Sequence, residues 1–172
     1  MSNSAIANSH LVPNLPPALA AVLPDGFTTE VCPAANRWWR EAGQWLRVGK
    51  LLTFDYGLTE EELLSPEKGQ GTLRACYRHH LSSDVLAHPG EQDLTAHVNF
   101  SALLKTGESV GLSTRALMTQ GQFLGRVFEN ASKRDVGLGG WTSKQSRQFQ
   151  TLVHPNHFGS AFRVLVQERT AK

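Results

Sequence analysis

Apolar and polar residues alternate through Phe27-Thr28-Thr29-Glu30-Val31, the period of a half-buried strand. Pro33 then opens a helix at a position where its missing N–H costs nothing. Ala35, Trp38, Trp39, Ala42, Trp45 and Leu46 recur at helical spacing, with Arg37, Arg40, Glu41 and Gln44 mostly opposite. The three tryptophans therefore read as core and packing rather than a ligand box. Gly49 supplies the stop. Leu51-Leu52-Thr53-Phe54-Asp55 does not alternate, which predicts a strand covered on both faces, as in parallel sheets, ended by Tyr56-Gly57. Thr59 with Glu62 forms a capping box for a short helix carrying Leu63 and Leu64. Residues 65–92 are irregular and polar, a loop long enough to suggest a lid or another functional segment. Asn99 caps a helix from Phe100, with Leu103, Leu104 and Val110 on its buried face and Gly111 at its end. Leu112, Thr114, Ala116 and Met118 alternate as a strand, and Thr119 with Gln122 caps a further helix. Residues 129–143 form a polar, Gly-rich loop before a short helix over 144–153. Phe162, Val164 and Val166 mark a last strand. The order β-α-β-loop-α-β-α-loop-α-β predicts an α/β layer fold.

Composition narrows the classes. A chain of 172 residues with 40% hydrophobic side chains makes one domain with a sizeable core. Seventeen Lys+Arg against fifteen Asp+Glu leave a net charge of +2, without the basic excess of a dedicated nucleic-acid binder. Apolar runs are too short for a membrane span. The first 24 residues carry no charged side chain, and Pro13, Pro16 and Pro17 interrupt their only apolar stretch. They read as a Pro-rich lead-in, with no targeting signal, so a cytoplasmic location is the expectation. Cys32 and Cys76 form no CxxC pair and fit reduced structural thiols.

Candidate chemistry is sparse. Ligands of open α/β sheets bind outside the carboxyl ends of strands, and Asp55 stands at such an end, where it could equally cap its own turn. The stretch from Arg74 to Phe100 holds His79, His80, His88 and His97 with Asp84, Glu91 and Asp93. No HxxxH or HExxH pair supports zinc, so a metal-dependent hydrolase is a minor alternative and no metal ligand is assigned. His97 is either a general base or a histidine satisfied by a backbone carbonyl. Gly137-Leu138-Gly139-Gly140 lacks the strand and helix that would make it a phosphate loop. The segment from Arg126 onward is basic, with eight Lys/Arg and three Asp/Glu, and reads as a solvated face.

A set of ordered motifs adds to this reading. Leu23-Pro24-Asp25-Gly26 and Glu30-Val31 precede Leu51-Leu52-Thr53-Phe54-Asp55-Tyr56-Gly57, then Gly71-Thr72-Leu73-Arg74-Ala75 and Arg78-His79. Pro89-Gly90-Glu91-Gln92-Asp93-Leu94-Thr95-Ala96-His97-Val98-Asn99-Phe100 follows, then Thr119-Gln120-Gly121-Gln122-Phe123-Leu124 and Phe158-Gly159-Ser160-Ala161-Phe162-Arg163-Val164-Leu165. Over residues 23–166 the sequence resembles the second half of the MidA family of class I S-adenosylmethionine-dependent methyltransferases, which includes a mitochondrial protein-arginine methyltransferase of complex I assembly. Asn99 stands where the family usually has Asp, and Phe158 where it usually has Met. The family's Gly-rich βαβ unit, which holds the cofactor, has no counterpart here.

The resemblance implies residues 25–172 as the C-terminal part of a Rossmann-like methyltransferase sheet with a long polar insertion, and S-adenosylmethionine as cofactor through a motif this chain lacks. It implies a protein substrate, with arginine as the example. A guanidinium needs carboxylates to orient its fork. Asp55 and Asp93 are the candidates, with His97 as proton acceptor and Tyr56, Gly57, Arg74, His79, Thr95 and Gln120 lining the substrate site. A sheet without its first strands exposes an edge, so the expectation includes a truncated gene product, a complementing N-terminal half or a homo-oligomer. A non-catalytic interaction module is the alternative.

Overall fold

The computed structural model describes residues 22–82, 84–134 and 140–171. Most of the expected lead-in, and Gly137 to Gly139 of the Gly-rich loop, lie outside them. Helix α1 (Pro33–Trp45) starts where Pro33 presets the first helical φ and ends before the extended Leu46. Strand β1 (Gly49–Leu58) follows, then the single turn α2 (Glu60–Leu63), closed by the Thr59–Glu62 capping box. Strands β2 (Arg74–Tyr77), β3 (His80–Ser82) and β4 (Asp93–Thr95) form a small antiparallel sheet in the order β3-β2-β4. Strand β5 (Val98–Asn99) leads into α3 (Phe100–Ser109), where the Asn99 side chain accepts the Ala102 N–H. Strand β6 (Ser113–Thr119), α4 (Gln120–Lys133), α5 (Ser143–Val153) and β7 (Phe162–Arg169) complete the order.

The main sheet runs β5-β1-β7-β6. Helices cover both faces, which makes it a three-layer α/β unit. On one face Trp39, Phe100, Leu103 and Leu165 form the core, with Ala35, Leu51, Val98, Leu104 and Leu117 packed against it. Gln167 is fully buried in the same layer. Its Oε1 accepts the Trp39 indole N–H at 2.8 Å, and its Nε2 donates to Leu104 O and Thr114 Oγ1. The amide thus spends its hydrogen-bonding capacity joining α1, α3, β6 and β7. On the other face Phe123 of α4 meets Phe54 edge-on at 5.3 Å, and Phe158 approaches Phe162.

Several sequence expectations change. Phe27 to Val31 is no strand; Thr28 makes one isolated bridge to Gln70. Only Trp39 enters the core: it is 1% exposed, against 62% for Trp38 and 86% for Trp45. Strand β1 runs through Tyr56-Gly57 to Leu58, and its long partner β7 is antiparallel. One of its faces carries the exposed Leu52, Phe54 and Tyr56, so it is not covered on both sides. Residues 65–92 are not wholly irregular, because β2 and β3 form a hairpin there. Its turn places Arg78 and His79 at φ 47° and 67°, values that glycine or asparagine usually supplies, so no turn signal marks it. Helix α4 extends to Lys133, into the segment expected to be loop.

Candidate functional site

Strands β1 and β6 both run antiparallel to β7, so their carboxyl ends lie at the same end of the sheet. The register there aligns Asp55, Arg163 and Thr119 across three strands. Gln120 follows at the start of α4. On the other side of β1 the parallel partner β5 sets Gly57 beside Val98, which brings His97 level with Tyr56. The sheet topology thus collects Asp55, Tyr56, Gly57, His97 and Gln120 at one end.

Their environments differ. Asp55 is exposed, and its Oδ1 accepts the N–H of Tyr56 at 2.7 Å. Arg163, facing it in register, reaches instead to Glu62 Oε1, and the other Glu62 oxygen accepts the Thr59 N–H. Tyr56 lies against Phe162 at 3.9 Å between ring centroids. Gly57 is buried, and a Cβ there would run into the Phe100 ring and the Val98 carbonyl. That close approach accounts for its glycine without a ligand. Gln120 is buried too, and its Nε2 donates to Leu152 O, tying α4 to α5. Arg74, Asp93 and Thr95 share one exposed face of the small sheet, since Arg74 pairs with Thr95 and Cys76 with Asp93. His79 sits in the exposed hairpin turn. Among the described residues no hydrogen bond joins Asp55, Asp93 and His97.

His97 lines a cleft of about 600 Å³ between the first turns of α1 and α3. Its walls include Glu30, Val31, Cys32, Asn36 and Val98, and the Glu60–Lys105 ion pair at 2.5 Å closes one side. Two residues without an expected role organise it. Glu30 accepts the N–H groups of Thr72 and Leu73 at 2.7 and 2.8 Å and the Thr72 hydroxyl at 2.9 Å. The Thr72 hydroxyl in turn accepts the main-chain N–H of His97 at 2.9 Å. Gly71 takes φ +73°, and a Cβ there would strike the Glu30 carboxylate. Burial opposes the charge on Glu30, but the hydrogen bonds from Leu73 and Thr72 outweigh it and hold its pKa below the ordinary carboxylate value. Burial lowers the pKa of His97, and the positive charges of Lys68 and Arg74 lower it further against the pull of Glu30. Its Nδ1 is buried without a hydrogen-bond partner among the described residues. The only sequence signal for this network is that Glu30 and Thr72 both lie within the ordered motifs.

Among the described residues no group of three or more His, Cys, Asp or Glu is placed to hold a metal ion. None of their helices is long and apolar enough to cross a membrane. No Gly-rich strand–turn–helix occurs among them.

No curated protein matches the chain. Its fold is similar to a protein from Burkholderia thailandensis whose structure is described as uncharacterised, at a TM-score of 0.76 and 28% identity. The match covers 88% of this chain and 42% of that one. A second structure from the same organism, described as a "likely methyl transferase" bound to S-adenosyl-homocysteine, aligns with a TM-score of 0.75 and 28% identity. That match covers 88% of this chain and 40% of the other. The chain therefore spans about two fifths of the length of these solved relatives. Residues 2–118 match the model of the family described as "Putative S-adenosyl-L-methionine-dependent methyltransferase", and the chain belongs to that family.

Proposed function

We propose that this chain is the substrate-side part of a MidA-type methyltransferase, which passes the methyl group of S-adenosylmethionine to a protein side chain such as arginine. The cofactor is held by a Gly-rich part that the described residues do not supply. Family membership and the S-adenosyl-homocysteine bound to one relative support the reaction class. The observation that carries the role of this chain is Asp55. Its exposed carboxylate lies in the carboxyl-terminal part of β1, three residues before the strand ends, and among the described residues it takes a hydrogen bond only from the N–H of the next strand residue, Tyr56. It thus has acceptor capacity for a guanidinium fork. Asp93 offers a second exposed carboxylate, with Arg74 and Thr95 on the same face of the small sheet and His79 in that sheet's hairpin turn. His97, whose pKa is depressed by burial, is the neutral imidazole that accepts the proton an arginine must lose. We assign Tyr56, Gly57 and Gln120, at the same end of the main sheet, to the lining of the substrate site.

The test is a chimera in which this chain replaces the matching region of the Burkholderia thailandensis protein bound to S-adenosyl-homocysteine. Labelled methyl transfer to arginine-containing peptides is the readout. Asp55→Asn and Asp93→Asn should each lower kcat/KM about 10- to 100-fold, the loss of one charge-assisted hydrogen bond. Unchanged transfer sinks the role of that residue. A chimera that binds cofactor without transferring to any protein peptide overturns the substrate assignment.

A further inference from the structure

Glu30 spends three of the roughly four lone-pair sites of its carboxylate inside the fold. Oε1 accepts the N–H groups of Thr72 and Leu73, and Oε2 accepts the Thr72 hydroxyl. Thr72 and Leu73 form the stem that enters β2, and the same hydroxyl holds the main-chain N–H of His97 on the stem that leaves β4. Strands β2, β3 and β4 pack mainly on one another. Glu30 therefore ties both stems of the small sheet to the segment before α1, and through Thr72 it sets the place of His97 in the cleft wall.

These bonds do not require a charge. A glutamine oxygen also accepts two N–H groups, and the Thr72 hydroxyl can turn to accept from the glutamine amide. Yet Glu30 stays ionised although burial opposes it, and among the described residues no basic side chain pairs with it. An unpaired charge held partly out of water is costly, and it acts on whatever titrates beside it. That neighbour is His97. Lys68, in the turn after α2, and Arg74 on β2 both oppose a positive ring there, and Glu30 favours it. Of the other titratable groups on the cleft wall, Glu60 and Lys105 neutralise each other, and Cys32 is a thiol.

We propose that Glu30 is the positioning residue of His97: it holds the His97 main chain through Thr72 and supplies the counter-charge when the ring becomes an imidazolium. This role rests on the reading of His97 as proton acceptor. In that step an N–H bond of the substrate breaks and an N–H bond on the imidazole forms; Glu30 stays ionised and takes no proton. Before the step the neutral ring is preferred, because burial disfavours its charge. Glu30 lowers the cost of charging the ring when the proton arrives, as a third group that orients a base does.

Glu30→Gln keeps the shape and the hydrogen bonds and removes the charge. In the full chain, NMR titration of the His97 ring should give a lower pKa in Glu30→Gln than in the unmodified protein, with the Thr72, Leu73 and His97 amide resonances near their original positions. Lys68→Gln, whose side chain takes no part in these hydrogen bonds, should move the ring pKa the other way. In the chimera with the Burkholderia thailandensis protein, Glu30→Gln should lower kcat about 10- to 100-fold with KM little changed. An unchanged ring pKa overturns the proposal, and so does a loss that falls on KM alone. If circular dichroism shows the variant unfolded, the unmodified chain decides. Its Thr72 and Leu73 amides should titrate with Glu30 and show a second inflection at the His97 midpoint; a single inflection overturns the proposal. Unchanged transfer in His97→Gln overturns the reading of His97 as the base instead, while a lowered ring pKa in Glu30→Gln still upholds the hold of Glu30 on His97.

Discussion

A single amide, Gln167, holds the centre of the molecule together, and its partner Trp39 shows how position outranks residue type. Trp38, Trp39 and Trp45 are the same side chain on one helix, yet only Trp39 points at β7. Trp39→Phe keeps a ring but leaves Gln167 Oε1 buried without a donor, which should cost about 1–3 kcal/mol. Trp45→Phe should stay within about 0.5 kcal/mol, as exposed substitutions do. Urea denaturation of the two variants gives both values; equal midpoints refute the role of Gln167. His97 supplies a second test at this scale. Its folded pKa lies below the ordinary 6.5, so near and below that pH the unfolded chain binds more protons than the folded one. The contribution of His97 is fully present above about 6.5 and is lost as pH falls through the folded value. His97→Gln should flatten that part of the stability profile. A difference profile between the two proteins without slope there contradicts it. Neither result was legible from spacing, because helical periodicity does not tell adjacent tryptophans apart and a histidine's neighbours come from distant segments.

At the scale of elements, the caps were legible and the strand pairing was not. Thr59 with Glu62, Asn99, and Thr119 with Gln122 cap where the sequence places them, since each bond spans three residues. The hairpin at Arg78-His79 escaped because its left-handed residues are neither glycine nor asparagine. Phe27 to Val31 alternates as a strand should, but Glu30 is drawn to the Thr72 and Leu73 backbone and the segment serves the cleft instead. Glycines divide in the same way. Gly57 lets β1 pass close to Phe100 and the Val98 carbonyl. Gly57→Ala should cost about 2–3 kcal/mol through overpacking. Gly125 in α4 has open space where a Cβ would stand, so Gly125→Ala should be neutral or stabilise by up to about 1 kcal/mol. Thermal melts of the pair decide the matter, and a tolerated Gly57→Ala refutes the packing argument.

For the whole molecule, the order of residues alone was enough to establish the α/β class, most helix caps, the approximate position of most helices and three of the four strands of the main sheet, and the general S-adenosylmethionine-dependent methyltransferase family. Those follow from local hydrogen bonds, apolar spacing and ordered motifs. Of the candidate residues, Asp55 could be placed on β1 from the sequence, though the strand continues past it to Leu58, whereas the Glu30–Thr72–His97 network could not be read. It took the folded chain to establish that β7, more than a hundred residues downstream, lies antiparallel between β1 and β6. That pairing brings Asp55, His97 and Gln120 to one end of the sheet while placing Asp93 on a separate one. Folding also settled which apolar residues stay uncovered, since Leu52 and Val166 have the same chemistry and differ only in whether a helix lies above them. The difference is one of range: a cap or a helical face closes within a few residues, whereas a strand's partner and cover are settled by everything else in the fold.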